Sequence, residues 1–474
     1  MGYKHGIYGE LVASGESITT TKTVAVYIGT APIHRVKTRV INKPLLIRNL
    51  EEVQTKLGYR DNDDFDIFTL SAVVFAHFAN KIKPIGPIVV IVLDTTIGAQ
   101  VTKDISIING IGYIEDHALI ESVEITDEVL GLDYNVKYND SGKLQITGDN
   151  LAATVSVIYK KVDPTIIIAA DVIGTYDETS EKRTGIKAIA DVYEELNLVP
   201  AITSAPGFTQ IKEVEQALVS TTSKITDRWE AVCYVDIDSK LATSREAAIK
   251  WKTDNNYKSN SEKVCWPKVK VGDKELWMSI VAIVRKLQTD VKNKDVPYDS
   301  ASNKPIDING LVTNGQKIKF SQEKANGLNE KGITTAIYSG GKYVLWGPHM
   351  GNYDYIETTK PEEIFDINLM MNKYLLNDFQ LRNIDLIDSP MTRHDIDALL
   401  VSEQMILSAY VSAGELLYGE IKFNQDDNSR SDLIQGDFAF NTLVTNTPPA
   451  KSITQKVQYT SKGVDTLYGE ESEE

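Results

Sequence analysis

Six histidines, two cysteines and a few short runs of aspartate are the residues with which this 474-residue chain could do chemistry. His5, His34, His77, His117, His349 and His394 are scattered, and no two stand at metal-ligand spacing. Asp61-Asn-Asp-Asp64 and Asp426-Asp427 could attract a hard cation, but neither has EF-hand spacing or a closing glutamate. The first run is expected to cap the helix after it, where carboxylates favour the positive end of the dipole. Acyl transfer by a subtilisin-type site needs Asp, His and Ser converging in space. Between Asp163 and Leu287, where a parallel sheet is expected, there is no histidine, so that core offers no general base. The sequence has no G-x-S-x-G elbow, no G-x-x-x-x-G-K-[ST] loop and no H-E-x-x-H helix. Gly340-Gly-Lys lacks the spacing of a phosphate loop, and Asp171-Val-Ile-Gly174-Thr-Tyr has one glycine where a dinucleotide turn needs three. Cys233, in an apolar strand pattern, and Cys265, beside Trp266, read as buried structural thiols.

The elements that would carry such residues imply an α/β multidomain chain. An N-terminal arm, residues 1–22, precedes a strand at Val24 to Ile28. A helix from Asp64 to Asn80 follows, with Ile67, Leu70, Val74 and Phe78 on one face. The apolar run Ile88 to Leu93 reads as a strand buried on both faces. Residues 23–96 thus form the first part of an α/β core. Residues 97–162 read as an inserted small all-β domain, with strands at Leu119 to Thr126, Tyr134 to Tyr138, Lys143 to Thr147 and Thr154 to Tyr159, and a hairpin turn at Asn139-Asp-Ser-Gly142. From 163 to 350 strands and helices alternate. Strands are expected at Thr165 to Ala170, Pro200 to Ser204, Trp229 to Val235 and Val264 to Trp266. Helices are expected at Gly185 to Leu196, around Ile211 to Leu218, at Arg245 to Trp251 and at Leu276 to Leu287. That alternation implies right-handed βαβ units and a parallel sheet covered on both faces. Residues 290–330, rich in Asn, Lys, Asp and Gly, read as a long surface segment, and Tyr338 to Tyr343 as a hairpin turn.

Residues 351–446 read as an α+β C-terminal domain. Helices are expected from Ile364 to Phe379 and from Arg393 to Ala413, the second with Thr392 at its N-cap and Gly414 past its end. Strands at Leu417 to Phe423 and Asp437 to Thr445 follow. Beyond Thr447-Pro448-Pro449, Ile453, Gln455, Val457 and Tyr459 alternate with polar residues. A lone strand is unstable in water, so this C-terminal arm, residues 447–474 with its acidic tail, needs a sheet edge to pair with.

Composition agrees with a folded chain, 42% hydrophobic and 24% charged. A formal net charge of −16 argues against a general nucleic-acid binder. No stretch approaches the roughly 20 apolar residues of a membrane span, and the N-terminus has no apolar signal region. Two cysteines fit folding in a reducing cytoplasm.

The C-terminal residues also carry a likeness to a known family. Asp388-Ser-Pro-Met-Thr-Arg-His-Asp-Ile-Asp397, Gly419-Glu-Ile-Lys-Phe-Asn424 and Thr447-Pro448-Pro449-Ala450 resemble the C-terminal part of contractile tail sheath proteins, the family of myovirus tails and R-type bacteriocins (tailocins). Gly6-Ile-Tyr-Gly-Glu-Leu-Val12, Thr23 to Pro32, Ser302-Asn-Lys-Pro305, Ala325-Asn-Gly-Leu-Asn329 and Val344-Leu-Trp-Gly347 agree in matching order. The resemblance implies a subtilisin-like core and strand arms exchanged between copies, with Tyr8, Leu11, Val12, Ile453, Val457 and Tyr459 at the subunit interface. It implies a non-enzymatic subunit without cofactor or metal. Such a subunit would form a homo-oligomer, a helical stack of sixfold sheath rings. It would surround an inner tail tube protein and meet baseplate and tail terminator proteins, without direct nucleic-acid contact or membrane insertion. It would be assembled in the host bacterial cytoplasm and end up in a virion tail or tailocin particle. Arg393 and His394 are its candidate tube-facing residues. The competing expectation is an α/β hydrolase or nucleotide-binding enzyme with a β insertion, disfavoured by the missing motifs.

Overall fold

A computed structural model describes residues 23–358, 360–464 and 467 of the chain. Its centre is an eight-stranded sheet. The strands lie in the order Pro44–Ile47, Ile88–Val92, Thr23–Gly29, Val199–Ser204, Val232–Asp236, Glu262–Cys265, Ile333–Ser339 and Lys342–Trp346. The six inner strands are parallel and the two outer ones antiparallel to their neighbours. Period-2 alternation sends side chains to two separate cores. Ala25, Tyr27, Val90 and Tyr234 face one, with the helices Leu50–Leu57, Thr69–Phe78 and Met278–Asp290. Val24, Val26, Val89 and Val235 face the other, with Lys212–Ser223, Arg245–Asn255 and Gln322–Asn329. A sheet covered on both faces is why Ile88–Val92 is buried at every position.

Several sequence expectations need correcting. Thr165 to Ala170 is not a strand. Asp163 accepts from Thr165 N at 3.0 Å and Pro164 opens a 3₁₀ turn, followed by a short helix, Ala169–Ile173. A run of isoleucines satisfies either period, and the Asp-Pro start decides it. Gly185 to Leu196 begins as a 3₁₀ helix, Gly185–Ala190, before Asp191–Leu196 becomes α-helical. The helix expected from Asp64 starts at Thr69, so the aspartates do not cap it. Instead Asp63 is buried, pairs with Arg35 at 2.6 Å and accepts from Ser71 Oγ at 2.8 Å.

Residues 290–330 are not a plain surface segment either. Lys274–Leu276, Lys268–Val271, Gly310–Thr313 and Gln316–Ile318 form a four-stranded antiparallel sheet. Its last hairpin turns on Asn314 and Gly315, both at positive φ (45° and 73°), the geometry that favours Asn-Gly. Val269, Val271, Leu276 and Leu311 of this sheet join the same core as Met278–Asp290, a helix in which nearly every residue is buried.

The inserted segment holds two three-stranded antiparallel sheets around a core of its own that includes Ile114, Leu144, Ile146 and Tyr159. Val101–Ser106 and Ile111–Ile114 are further strands, and the expected strand at Leu119 to Thr126 is a 3₁₀ turn, Ile120–Ser122, followed by a two-residue strand, Glu124–Ile125. The expected turn at Asn139 to Gly142 joins Asn135–Tyr138 to Leu144–Thr147. No helix of the described residues is long and apolar enough to cross a membrane.

Candidate assembly interface

The C-terminal unit is built from two helices, Asp366–Arg382 and Arg393–Ser412, and an antiparallel hairpin, Leu416–Lys422 with Asn441–Asn446. Thr392 and Asp395 close the capping box at the second helix. The bond from Thr392 holds the Asp395 carboxyl below its usual range. Met371, Leu399, Leu407, Leu416 and Ile421 form a small core, flanked by Phe379, Phe440 and Val444.

The first helix is fastened to the central sheet by polar side chains. Lys263 Nζ, on a core strand, donates to Gly347 O (3.0 Å), His349 O (3.2 Å) and Asp366 Oδ2 (2.5 Å). Lys373 Nζ donates to Ala231 O (2.9 Å) and Ser261 Oγ (3.2 Å), and burial lowers its pKa. Asn377 makes two bonds to the backbone of Glu230, at 3.0 and 2.7 Å. These bonds lock the C-terminal unit to the strand ends.

The hairpin has two outer edges, and they differ. From the second helix, Gln404 Nε2 donates to Gly419 O at 3.0 Å while its Oε1 accepts from Ile421 N at 3.2 Å. No side chain among the described residues does the same along Asn441–Asn446. Along the Gln404 edge lies a shallow, open groove of about 500 Å³ lined by Leu400, Val401, Gln404 itself, Met405, Ser408 and Ile421. Val401 and Met405 are 62% and 69% exposed. In the sequence Gln404 is a polar amide one helical turn from Leu400 in an otherwise apolar stripe, which marks the residue but not the edge it bonds.

The arm leaves this hairpin at Thr447, whose Oγ1 donates to Gly414 O at 2.9 Å. Lys451 Nζ sits 5.5 Å from the Tyr355 ring centre. Beyond it no described residue joins a ladder. Ile453, Val457 and Tyr459 are 87%, 83% and 90% exposed, so the alternating pattern has no partner among the described residues. Tyr8, Leu11 and Val12 lie outside the described residues. Arg393 and His394 are exposed at their helix start, and Arg393 pairs with Asp397 at 2.7 Å.

Four of the histidines and both cysteines sit in structural surroundings, while His394 is exposed and His5 lies outside the described residues. His77 bonds Tyr27 Oη (2.7 Å) and Ile85 O (2.9 Å), and burial pushes it down to about 4. His349 stacks on Tyr353 and is likewise lowered to about 4, chiefly by burial. The His34 and His117 rings meet at a tilt of 31°, their centres 4.8 Å apart, and burial lowers both. Cys233 and Cys265 are buried and free, and burial raises both thiols. No cluster of three or more metal-ligating side chains occurs among the described residues.

This combination of a two-faced α/β core, a β insertion and a C-terminal helix–hairpin unit is the fold of contractile-sheath subunits. The chain superimposes on the anti-feeding prophage helical sheath in its contracted state with a TM-score of 0.56 and 13% identity, covering 97% of this chain and all of that one. It superimposes on the sheath complex of the extracellular contractile injection system PVC, also contracted, with a TM-score of 0.57 and 12% identity, covering 98% and 99%. In sequence it is 26% identical to the tail sheath protein of Burkholderia phage BcepMu over 338 residues, 67% of each chain. It is 24% identical over 307 residues to a putative prophage major tail sheath protein of Pseudomonas aeruginosa, covering 62% of this chain and 73% of that one. No family model matches the chain. Both sequence and fold therefore bear out the resemblance to contractile tail sheath proteins.

Proposed function

We infer that the chain is the structural subunit of a contractile tail sheath, polymerising helically around an inner tail tube and contracting to drive that tube through a target cell envelope. The observation that carries this reading is the exposed arm, whose alternating apolar side chains have no partner among the described residues and which leaves a hairpin whose Asn441–Asn446 edge no described side chain bonds. Strand addition at a sheet edge is a general mode of association. A tube-enclosing polymer needs heterologous contacts that repeat along a helix. Arms paired with neighbouring copies would hold subunits together while they slide and rotate, with the energy stored at assembly.

On this reading the core is subtilisin-like, with the domain divisions set out above. Rings stack with sixfold symmetry, and the partners are the tube, baseplate and tail terminator proteins. Arg393 and His394 face the tube, and Tyr8, Leu11 and Val12 form the second arm. Assembly takes place in the host cytoplasm. The enzymatic alternative draws no support from histidines already committed to structural contacts.

The energetics of one arm are finely balanced. About five backbone bonds at roughly 1 kcal/mol each favour docking. Ordering about seven residues costs roughly 7–14 kcal/mol. Burial of Ile453, Val457 and Tyr459, at about 1.5–3 kcal/mol each, brings the two sides level or slightly favourable. One apolar contact therefore decides the outcome. Val457→Asp is expected to leave the monomer's melting curve unchanged and abolish polymer in a pelleting assay; normal polymerisation would remove the arm from the interface.

A further inference from the structure

The bonding of Gln404 has a consequence for when the hairpin can accept a strand. An N–H given to the carbonyl of one residue, with a carbonyl accepting from the N–H two residues on, is the pair of bonds that one residue of a parallel neighbouring strand makes. The Gln404 carboxamide makes this pair with Gly419 and Ile421. It thus satisfies an edge that would otherwise template pairing with any exposed strand. The apolar groove beside it is left uncovered, with Val401 and Met405 facing outward.

We propose that Gln404 is a placeholder for an intermolecular strand: it shields the edge of Leu416–Lys422 in the free subunit and is displaced when residues 453–459 of a second copy dock in the Leu400–Met405 groove. The proposal rests on the sheath reading and adds to it a residue that controls the acceptor edge. Charge favours this occupant. Residues 447–464 carry Lys451, Lys456 and Lys462 and no carboxylate in a chain of net charge −16. Residues 383–422, which build the groove wall and the edge, carry seven carboxylates and two Lys or Arg, Arg393 paired to Asp397 and Lys422 paired to Glu420. The arm's exposed Ile453, Val457 and Tyr459 are apolar side chains able to cover Val401 and Met405.

Displacement forfeits two side-chain hydrogen bonds, so removing the amide should ease assembly. In the full-length chain, Gln404→Ala is expected to lower the threshold concentration for ribbed polymers by about tenfold, the worth of one or two net hydrogen bonds. An unchanged or raised threshold, with only a lower melting temperature, would make Gln404 a fold-stabilising residue and overturn the proposal. The occupant is tested by mixing separately purified Met405→Cys and Val457→Cys chains, with Met405→Cys and Val12→Cys as the comparison. The native Cys233 and Cys265 are buried and do not interfere. A disulfide between positions 405 and 457 is expected; one formed only between 405 and 12 would assign the groove to the other arm and refute this part. Normal assembly of Val457→Asp would instead sink the arm reading itself, an outcome separable from the behaviour of Gln404→Ala.

Discussion

Lys263 and Asp366 are 1% and 2% exposed at the side chain and meet at 2.5 Å where the central sheet joins the C-terminal unit. The ammonium spends its three protons on Asp366, Gly347 O and His349 O, while Asp366 Oδ1 takes the N–H of Ile367 at 2.8 Å. Asp366 also stands in the first turn of its helix, where a negative charge is favoured. Asp366→Ala would strand a buried ammonium with two carbonyls, and breaking a buried pair in this way costs about 3–5 kcal/mol. Lys263→Met should cost a similar amount, because it leaves the carboxylate and both carbonyls short of donors. The double variant Lys263→Met/Asp366→Leu removes both charges, so its cost should fall to roughly 1–3 kcal/mol, the residue left by the two unpaired carbonyls. Urea unfolding followed by far-ultraviolet circular dichroism and tryptophan fluorescence would measure all three. Asp397→Ala, at the exposed Arg393 pair, serves as a control expected to change stability by about 0–1 kcal/mol. A loss below about 1 kcal/mol for Asp366→Ala, or single losses that simply add in the double variant, would refute the claim that this pair fastens the C-terminal unit to the sheet.

Asp236 provides a pH test. Burial pushes its carboxyl up to about 7, although it accepts from Ser279 N at 2.9 Å and from the Ser279 hydroxyl. A folded pKa raised above the unfolded value means stability that is present below about pH 4 and lost as pH rises through 7. Asp236→Asn should therefore gain on the parent by roughly 4 kcal/mol between pH 4 and pH 7.5, measured as the difference in unfolding free energy. The lowered His77 and His349 act in the opposite sense over the same window but cancel in the comparison. A difference independent of pH would show that the acid is not buried in its charged form. At the tube, Arg393→Glu is expected to weaken co-assembly with the tube protein; unchanged co-assembly would remove Arg393 from that contact.

Much of the fold was legible because its strands and helices are strongly patterned. The apolar run at Ile88 and the alternation from Pro200 onward admit few arrangements other than a covered parallel sheet. Thr392, Asp395 and Gly414 bracket a helix whose observed span, Arg393–Ser412, differs from expectation by one residue. The errors fall where local chemistry is compact. An Asn-Gly turn pairs two strands, Gly310–Thr313 and Gln316–Ile318, within a polar stretch, and an Asp-Pro start puts a 3₁₀ turn where the isoleucine run suggests a strand. Of the interface, the apolar arm could be read because period 2 survives without a partner. The Gln404 bridge could not, because nothing in a helical stripe tells which backbone edge a side chain will meet.

Whether copies of this chain build a sheath is decided by electron microscopy of the purified 474-residue chain, with and without a tail tube protein. Ribbed hollow cylinders, with the tube protein inside when it is present, are the expected result. Isolated globular particles in both samples at every salt concentration would contradict it.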